Sequence, residues 1–256
     1  VDARAIQPGL ALADATRQPL PVGNTVIEAG ELFAIEGDGN DGHIRFEGDL
    51  RSVRGIGQGL SAGAIEVRGD AGGLLGAEMT GGSIDVEGNV ADWAGAEMRG
   101  GFLRIKGQAG DSLGGAFPGS RLGMREGVIL VEGSIGDGAG SVMRRGLIAV
   151  SGRAGDDLGR SMIAGSIVVA GATGNRLGAG MKRGTVVVLG SPADRPTALL
   201  PTFVPSGRYR PPFLALYLAR LRDWGFPVPA PAFSASLERY NGDLAERGQG
   251  EIWLGL

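Results

Sequence analysis

The chain has 256 residues, 43% of them hydrophobic, with a net charge of −3, no cysteine and a single histidine. Those figures exclude disulfides, iron–sulfur clusters, zinc sites built from Cys or His, and any Cys/His nucleophilic pair, and the charge gives no reason to expect nucleic acid. Glycine is the outlier: its 49 residues are about 19% of the chain against ~7% on average, with no Gly-X-Y period, and mark many corners that tolerate no Cβ.

The opening stretch "VDARAIQPGLALADATRQPL" lacks a basic-then-apolar signal pattern, and no apolar run approaches the ~18 residues of a membrane span. A cytoplasmic location without membrane contact is the expectation. Residues 1–54 carry a weaker β pattern, "ELFAIEGDG" and "HIRFEGDL", out of register with the rest of the chain. They are expected to form short strands capping an open end.

Residues 55–190 repeat. The glycines that close each apolar run are Gly69, Gly88, Gly107, Gly133, Gly152, Gly171 and Gly190, in steps of 19, 19, 26, 19, 19 and 19. The long step holds an insertion within "GGAFPGSRLGM". Every methionine falls in one column: Met79, Met98, Met124, Met143, Met162 and Met181, with Leu60 one period earlier. Two aliphatic columns, Ile65 to Val186 and Val67 to Val188, lie two residues apart and so share one face of a strand. About six residues between glycines are too few for a helix, and β-branched residues dominate. The fold class is therefore all-β: a right-handed parallel β-helix (a β-solenoid) of about seven 19-residue coils, its rungs ~4.8 Å apart and its hand that of nearly all parallel crossovers.

Outward columns refine this picture. Arg68, Glu87, Lys106 and Glu132 alternate in charge beside Glu66, Asp85 and Arg104, as expected of a solvated face that fixes register. Later, "SIVVAG" and "TVVVLG" are apolar on both faces, so Val168, Val187 and Leu189 need a cover, either the chain's own helix or a partner. Residues 191–256 form a C-terminal extension. "SPADRPTALLPTFVPSGRYRPP" predicts an extended strap, and "PPFLALYLARLRDWG" a helix from about Pro212 to Gly225 with Phe213, Leu214, Tyr217, Leu218 and Leu221 as its apolar stripe. "EIWLGL" is a candidate added strand.

Reactive groups are sparse. His43, beside a turn, is read as exposed or hydrogen-bonded rather than catalytic. The column Asp92, Asp111, Asp137, Asp156 and Asn175 is read as Asx-turn capping in preference to calcium binding, which needs six to eight well-spaced oxygens. After each methionine come Thr80, Arg99, Arg125, Arg144, Ile163 and Lys182, with Arg145 and Arg183 one residue further on. Glu78, Glu97 and Glu126 are expected to pair the early cations. For Arg144, Arg145, Lys182 and Arg183 two readings stand, a solvated edge or a contact with a subunit or anionic ligand. The insertion around Phe117 and Arg121 is expected to protrude. No catalytic and no metal-binding residues are assigned. The interface candidates are Phe117, Arg121, Arg144, Arg145, Val168, Lys182, Arg183, Val187 and Leu189.

The repeat G-x-x-M-x-x-G-x-[I/V]-x-V-x-G, with Leu-Gly before it, resembles the glycine-rich β-helix domain of the glutamate synthase large subunit and, more closely, the C-subunit family of formylmethanofuran dehydrogenase. The free-standing chain, the unbroken Met column and the tail "RYRPPFLALYLARLRDWG" favour the second group, and within it the member found in the bacterial formyltransferase/hydrolase complex. The resemblance implies a non-catalytic scaffold joining a formyltransferase subunit to an amidohydrolase-like subunit. That complex moves a formyl group from formyl-tetrahydromethanopterin to a methanofuran-like carrier and releases formate. It also implies that zinc, the methanofuran-type carrier and tetrahydromethanopterin belong to the partner subunits, with no cofactor in this chain. The C-subunit of a molybdenum or tungsten formylmethanofuran dehydrogenase is the alternative. A carbohydrate-active β-helix enzyme is a weaker one, because aromatics are only 5% of the residues.

Overall fold

The computed structural model describes residues 1–37, 39, 41–190 and 199–255, so the first part of the expected strap, 191–198, lies outside them. The chain begins with a short helix α1 (Leu12–Thr16), an antiparallel hairpin of β1 (Pro19–Val22) and β2 (Thr25–Glu28), and a helical turn α2 (Ala29–Leu32). Eight strands then stack in parallel: β3 (His43–Glu47), β4 (Ala64–Arg68), β5 (Ser83–Val86), β6 (Arg99–Ile105), β7 (Glu126–Val131), β8 (Leu147–Val150), β9 (Ser166–Val169) and β10 (Arg183–Val188). Strands β11 (Val204–Tyr209), β12 (Leu237–Gly242) and β13 (Gln249–Gly255), with helix α3 (Pro212–Asp223) and a short 3-10 helix (Ala230–Ser234), complete the described elements. No helix among them is long and apolar enough to cross a membrane.

Each coil after β3 contributes one strand to a common eleven-stranded sheet. A second wall is built from single-residue parallel bridges, Leu50 to Ala71 and onward to Thr173. The Ile and Val columns point inward, and Ile129, Ile148, Ile167, Val131, Val150 and Val169 are fully buried. So are all six methionines.

The glycine columns are explained by what they face. A Cβ on Gly146 would lie 2.7 Å from Met124 Cε, one on Gly165 2.9 Å from Met143 Cε, and one on Gly184 2.8 Å from Met162 Cε. Each methionine tip thus occupies the volume that a side chain would need at the start of the next strand. Gly165, at φ +103°, also has a backbone that only glycine adopts readily. The closing column keeps the coils in near contact: a Cβ on Gly171 would stand 2.4 Å from the Gly152 carbonyl oxygen.

Two expectations for the ends change. "HIRFE" is the first strand of the main sheet, pairing His43 with Ala64. That offset of 21 rather than 19 hid it from the column pattern. The described residues of "ELFAIEGDG" give no strand: Glu31 and Leu32 belong to α2, and Phe33 packs edge-on against Phe46 at 6.3 Å to close the end of the core. At the other end, β13 pairs in parallel with β10, Gly250 opposite Gly184 and Ile252 opposite Val186. The tail therefore supplies a further rung in the same columns. β12 and β11 follow antiparallel and end the parallel stacking.

Candidate interaction surfaces

The strand wall pairs its charges. Arg45 Nε meets Glu66 Oε2 at 2.7 Å, Arg68 reaches Glu66 at 3.0 Å and Glu47 at 3.1 Å, and Lys106 lies 3.5 Å from Glu87. Hydrogen bonds from Arg45 and Arg68 hold the Glu66 carboxyl below its usual value. Arg104 does more than fix register. It binds Glu132 at 2.6 Å and donates to the carbonyls of Trp224 and Gly225 at 3.2 and 3.1 Å, tying down the C-terminal end of α3 where carbonyls lack helical partners.

That helix covers the late coils. Leu214, Leu218 and Leu221 are buried against Leu130, Ala149, Val168 and Val187, with Trp253 of β13 beside them. Phe213 and Tyr217 pack at the margin, Leu189 is half-buried there, and the Tyr217 hydroxyl lies 3.1 Å from Ser166 Oγ. Of the two covers expected for this face, the chain's own helix is the one found. Val168 and Val187, at 3% and 2% exposure, therefore leave the set of interface candidates.

The insertion folds back rather than standing clear. Phe117 stacks on Trp93 with ring centroids 5.7 Å apart, and its N–H donates to Glu97 Oε1 at 3.2 Å. Only the crest, with Pro118, Gly119, Arg121 and Leu122, is exposed. Trp93 was not singled out in the sequence, although it is the one aromatic in its column.

The aspartate ladder caps between coils, not within turns. Asp92 Oδ1 accepts the Asp111 N–H at 2.8 Å, Asp111 that of Asp137 at 2.8 Å, Asp137 that of Asp156 at 2.7 Å, and Asp156 that of Asn175 at 2.7 Å. Among the described residues no group of three or more His, Asp or Glu is placed to hold a metal. His43 is exposed on β3, its N–H bonded to Asp41 Oδ1 at 3.0 Å.

At the corner after the methionines, the expected local pairing is absent among the described residues. Glu78 accepts instead from Gln58 at 2.9 Å, Glu97 is buried, and Glu126 makes no ion pair among the described residues. Lys182 pairs with Glu246 at 3.7 Å and Arg183 bonds Gln249 at 2.9 Å, both on the C-terminal segment. Arg144 and Arg145 are exposed.

The C-terminal segment is pinned by Asp243, which sequence reasoning missed because an Asn-Gly-Asp run such as that in "YNGDLAERG" reads as a turn. The residue is 4% exposed, and its carboxylate accepts the N–H groups of Gly180 at 3.0 Å and Ala245 at 2.9 Å. Burial pushes its pKa up, but the adjacent Thr202 hydroxyl and those two N–H groups outweigh it and leave the value below the ordinary 3.8. A carboxyl lowered on folding stabilises above its unfolded value, and that contribution is lost as pH falls through the folded value. Asp243→Asn is expected to cost about 1–3 kcal/mol at neutral pH. In thermal melts the gap to wild type should narrow below about pH 4; a gap independent of pH would count against an ionised Asp243.

A family model described as the GXGXG motif matches residues 50–204. The X-ray crystal structure of the formyltransferase/hydrolase complex from Methylorubrum extorquens, in complex with methylofuran, contains a chain 37% identical to this one with a TM-score of 0.88. The alignment covers 100% of this chain and 95% of that one. No curated protein sequence matches. With more than half its residues in the repeat motif and a relative of that identity along its whole length, the chain belongs to the GXGXG motif family, beside its counterpart in the formyltransferase/hydrolase complex.

Proposed function

We propose that the protein is a non-catalytic scaffold subunit of a formyltransferase/hydrolase complex, holding a formyltransferase subunit and an amidohydrolase-like subunit in one hetero-oligomer in the cytoplasm. The observation that carries this reading is the 37% identity, end to end, with a chain of such a complex. In this reading zinc, tetrahydromethanopterin and the furan carrier are bound by the partners. This chain contributes a rigid wall whose rungs are interlocked by the Met and Ile columns. Phe117, Arg121, Arg144, Arg145, Lys182, Arg183 and Leu189 remain the contact candidates.

Co-expression with the two enzymatic subunits from the same genome tests it. The protein should co-purify with both, and the assembly should release formate from formyl-tetrahydromethanopterin while the isolated chain shows no turnover. Turnover by the isolated chain, or purification free of both partners, overturns the reading.

A further inference from the structure

We propose that the ridge of Arg99, Arg125, Arg144 and Arg145 is a docking strip for an extended, carboxylate-rich segment of a partner subunit. This rests on the assembly reading above and names the chemistry of one contact. The ridge crosses three adjacent rungs, because the Arg125 N–H donates to the Met98 carbonyl at 2.7 Å and the Arg144 N–H to the Met124 carbonyl at 2.8 Å. It therefore carries arginines on successive rungs ~4.8 Å apart, with Glu126 as the strand partner of Arg99.

Elsewhere on the strand wall, Arg45, Arg68, Arg104 and Lys106 all have acids within 4 Å. Here none of the four arginines makes an ion pair among the described residues, and Arg125 Nε is buried without an acceptor. Only Glu126 lies among them. A row of guanidinium groups left unpaired repels itself, whereas each one can take a carboxylate by two parallel hydrogen bonds.

The ground beside the ridge suits an extended chain. A groove of about 680 Å³ runs from Arg99 to helix α3, lined by Gly100, Gly127 and Gly146, by Tyr217 and Trp224, and by the one acid Glu126. Glycines without side chains let a backbone lie close, and the two aromatic residues offer apolar contact. Three rungs span about 10 Å, the reach of three or four extended residues at ~3.3 Å each. A second copy of this chain could offer its aspartate ladder at the same repeat. Such a head-to-tail contact would build rings or open filaments of this chain alone, so the ridge is assigned to a partner of another kind.

Two binding measurements decide it, each comparing wild type, the triple variant Arg99→Glu/Arg125→Glu/Arg144→Glu, and the control Arg153→Glu/Arg160→Glu at exposed positions elsewhere. In the first, the isolated protein is titrated with a fluorescent eight-residue alternating Asp-Gly peptide at low salt. Wild type and control should bind saturably and release it on adding salt, and the triple variant should lose about 100-fold or more in affinity. In the second, the co-purified complex is dissociated by salt, and the triple variant should fall apart at lower concentration than wild type or control.

Equal peptide binding by all three proteins, or none by wild type, overturns the strip. So does a salt resistance of the complex that the triple change does not move. Wild-type filaments abolished by the triple variant would overturn the choice of partner. If the wild-type chain fails to co-purify with the enzymatic subunits, the assembly reading fails while the peptide titration still decides the ridge.

Discussion

Met162→Asp is expected to unfold the late coils. Met162 is fully buried and its Cε seats against Gly184 of the next strand, so no solvent-facing rotamer is at hand for a carboxylate. Truncating a buried methionine costs about 2–5 kcal/mol, and an unpaired buried charge adds several more unless it protonates. The sum rivals the ~5–15 kcal/mol that holds a whole domain together. Stability in stacked repeats is a sum over neighbours, so the damage should concentrate on the coils around β9 and β10 and on the C-terminal rung. Circular dichroism should show a midpoint lowered by tens of degrees or an early separate transition. A midpoint within about two degrees of wild type, no more than about 1 kcal/mol, would mean that this column does not face the core.

Leu218→Asp should release helix α3 while leaving the coils intact. Leu218 is 1% exposed and lies in the cluster with Val168, Val187 and Trp253. Burying such a side chain is worth about 1.5–3 kcal/mol, and a charge in its place must either leave the cluster or protonate. Departure would bare an apolar strip that the early coils, charged at these positions, do not have. Hydrogen exchange should show protection lost across residues 212–226 and kept in the strand amides of the early coils, with binding of a hydrophobic dye rising several-fold. Unchanged protection in the helix would place its hold on the coils outside this stripe, in the Arg104 clamp.

Much of the architecture was legible because a period of 19 imposes itself on three kinds of residue at once. The Met column, the Ile and Val columns and the glycines each report the same contacts from different sides. The helix stripe was legible too, since the apolar run of Phe213 to Leu221 and the doubly apolar strands require one another. The strand in "HIRFEGDL" was legible too, but its place in the main sheet was not, because a coil two residues longer leaves its Phe46 outside the columns. Nor were the partners of the charged corner: Lys182 finds Glu246 across sixty-odd residues of intervening chain, and no spacing rule reaches that far. Asp243 was invisible for a related reason. Its importance lies in two backbone N–H groups, which carry no side-chain signature. The aspartate ladder was recognised as capping, but the N–H donors it accepts from sit one rung on, because stacked turns bring the same position of the next coil nearer than the residue's own neighbours.

The placement of β13 beside β10 bears on how the molecule is made. Rungs from β4 to β10 pair with partners about one period away, so each can be laid down as soon as it is synthesised, in order and with low contact order. The rung after β10 is the exception, because its partner Gln249 lies far along the chain from Arg183. While the ribosome produces the intervening residues, the end of the growing stack stays open, with Val186 and Val188 presenting an unpaired parallel edge. An open edge of that kind recruits other chains. A nascent protein stalled in this interval is the form most exposed to aggregation, and the form on which a chaperone, or an early-arriving assembly partner, has most to protect.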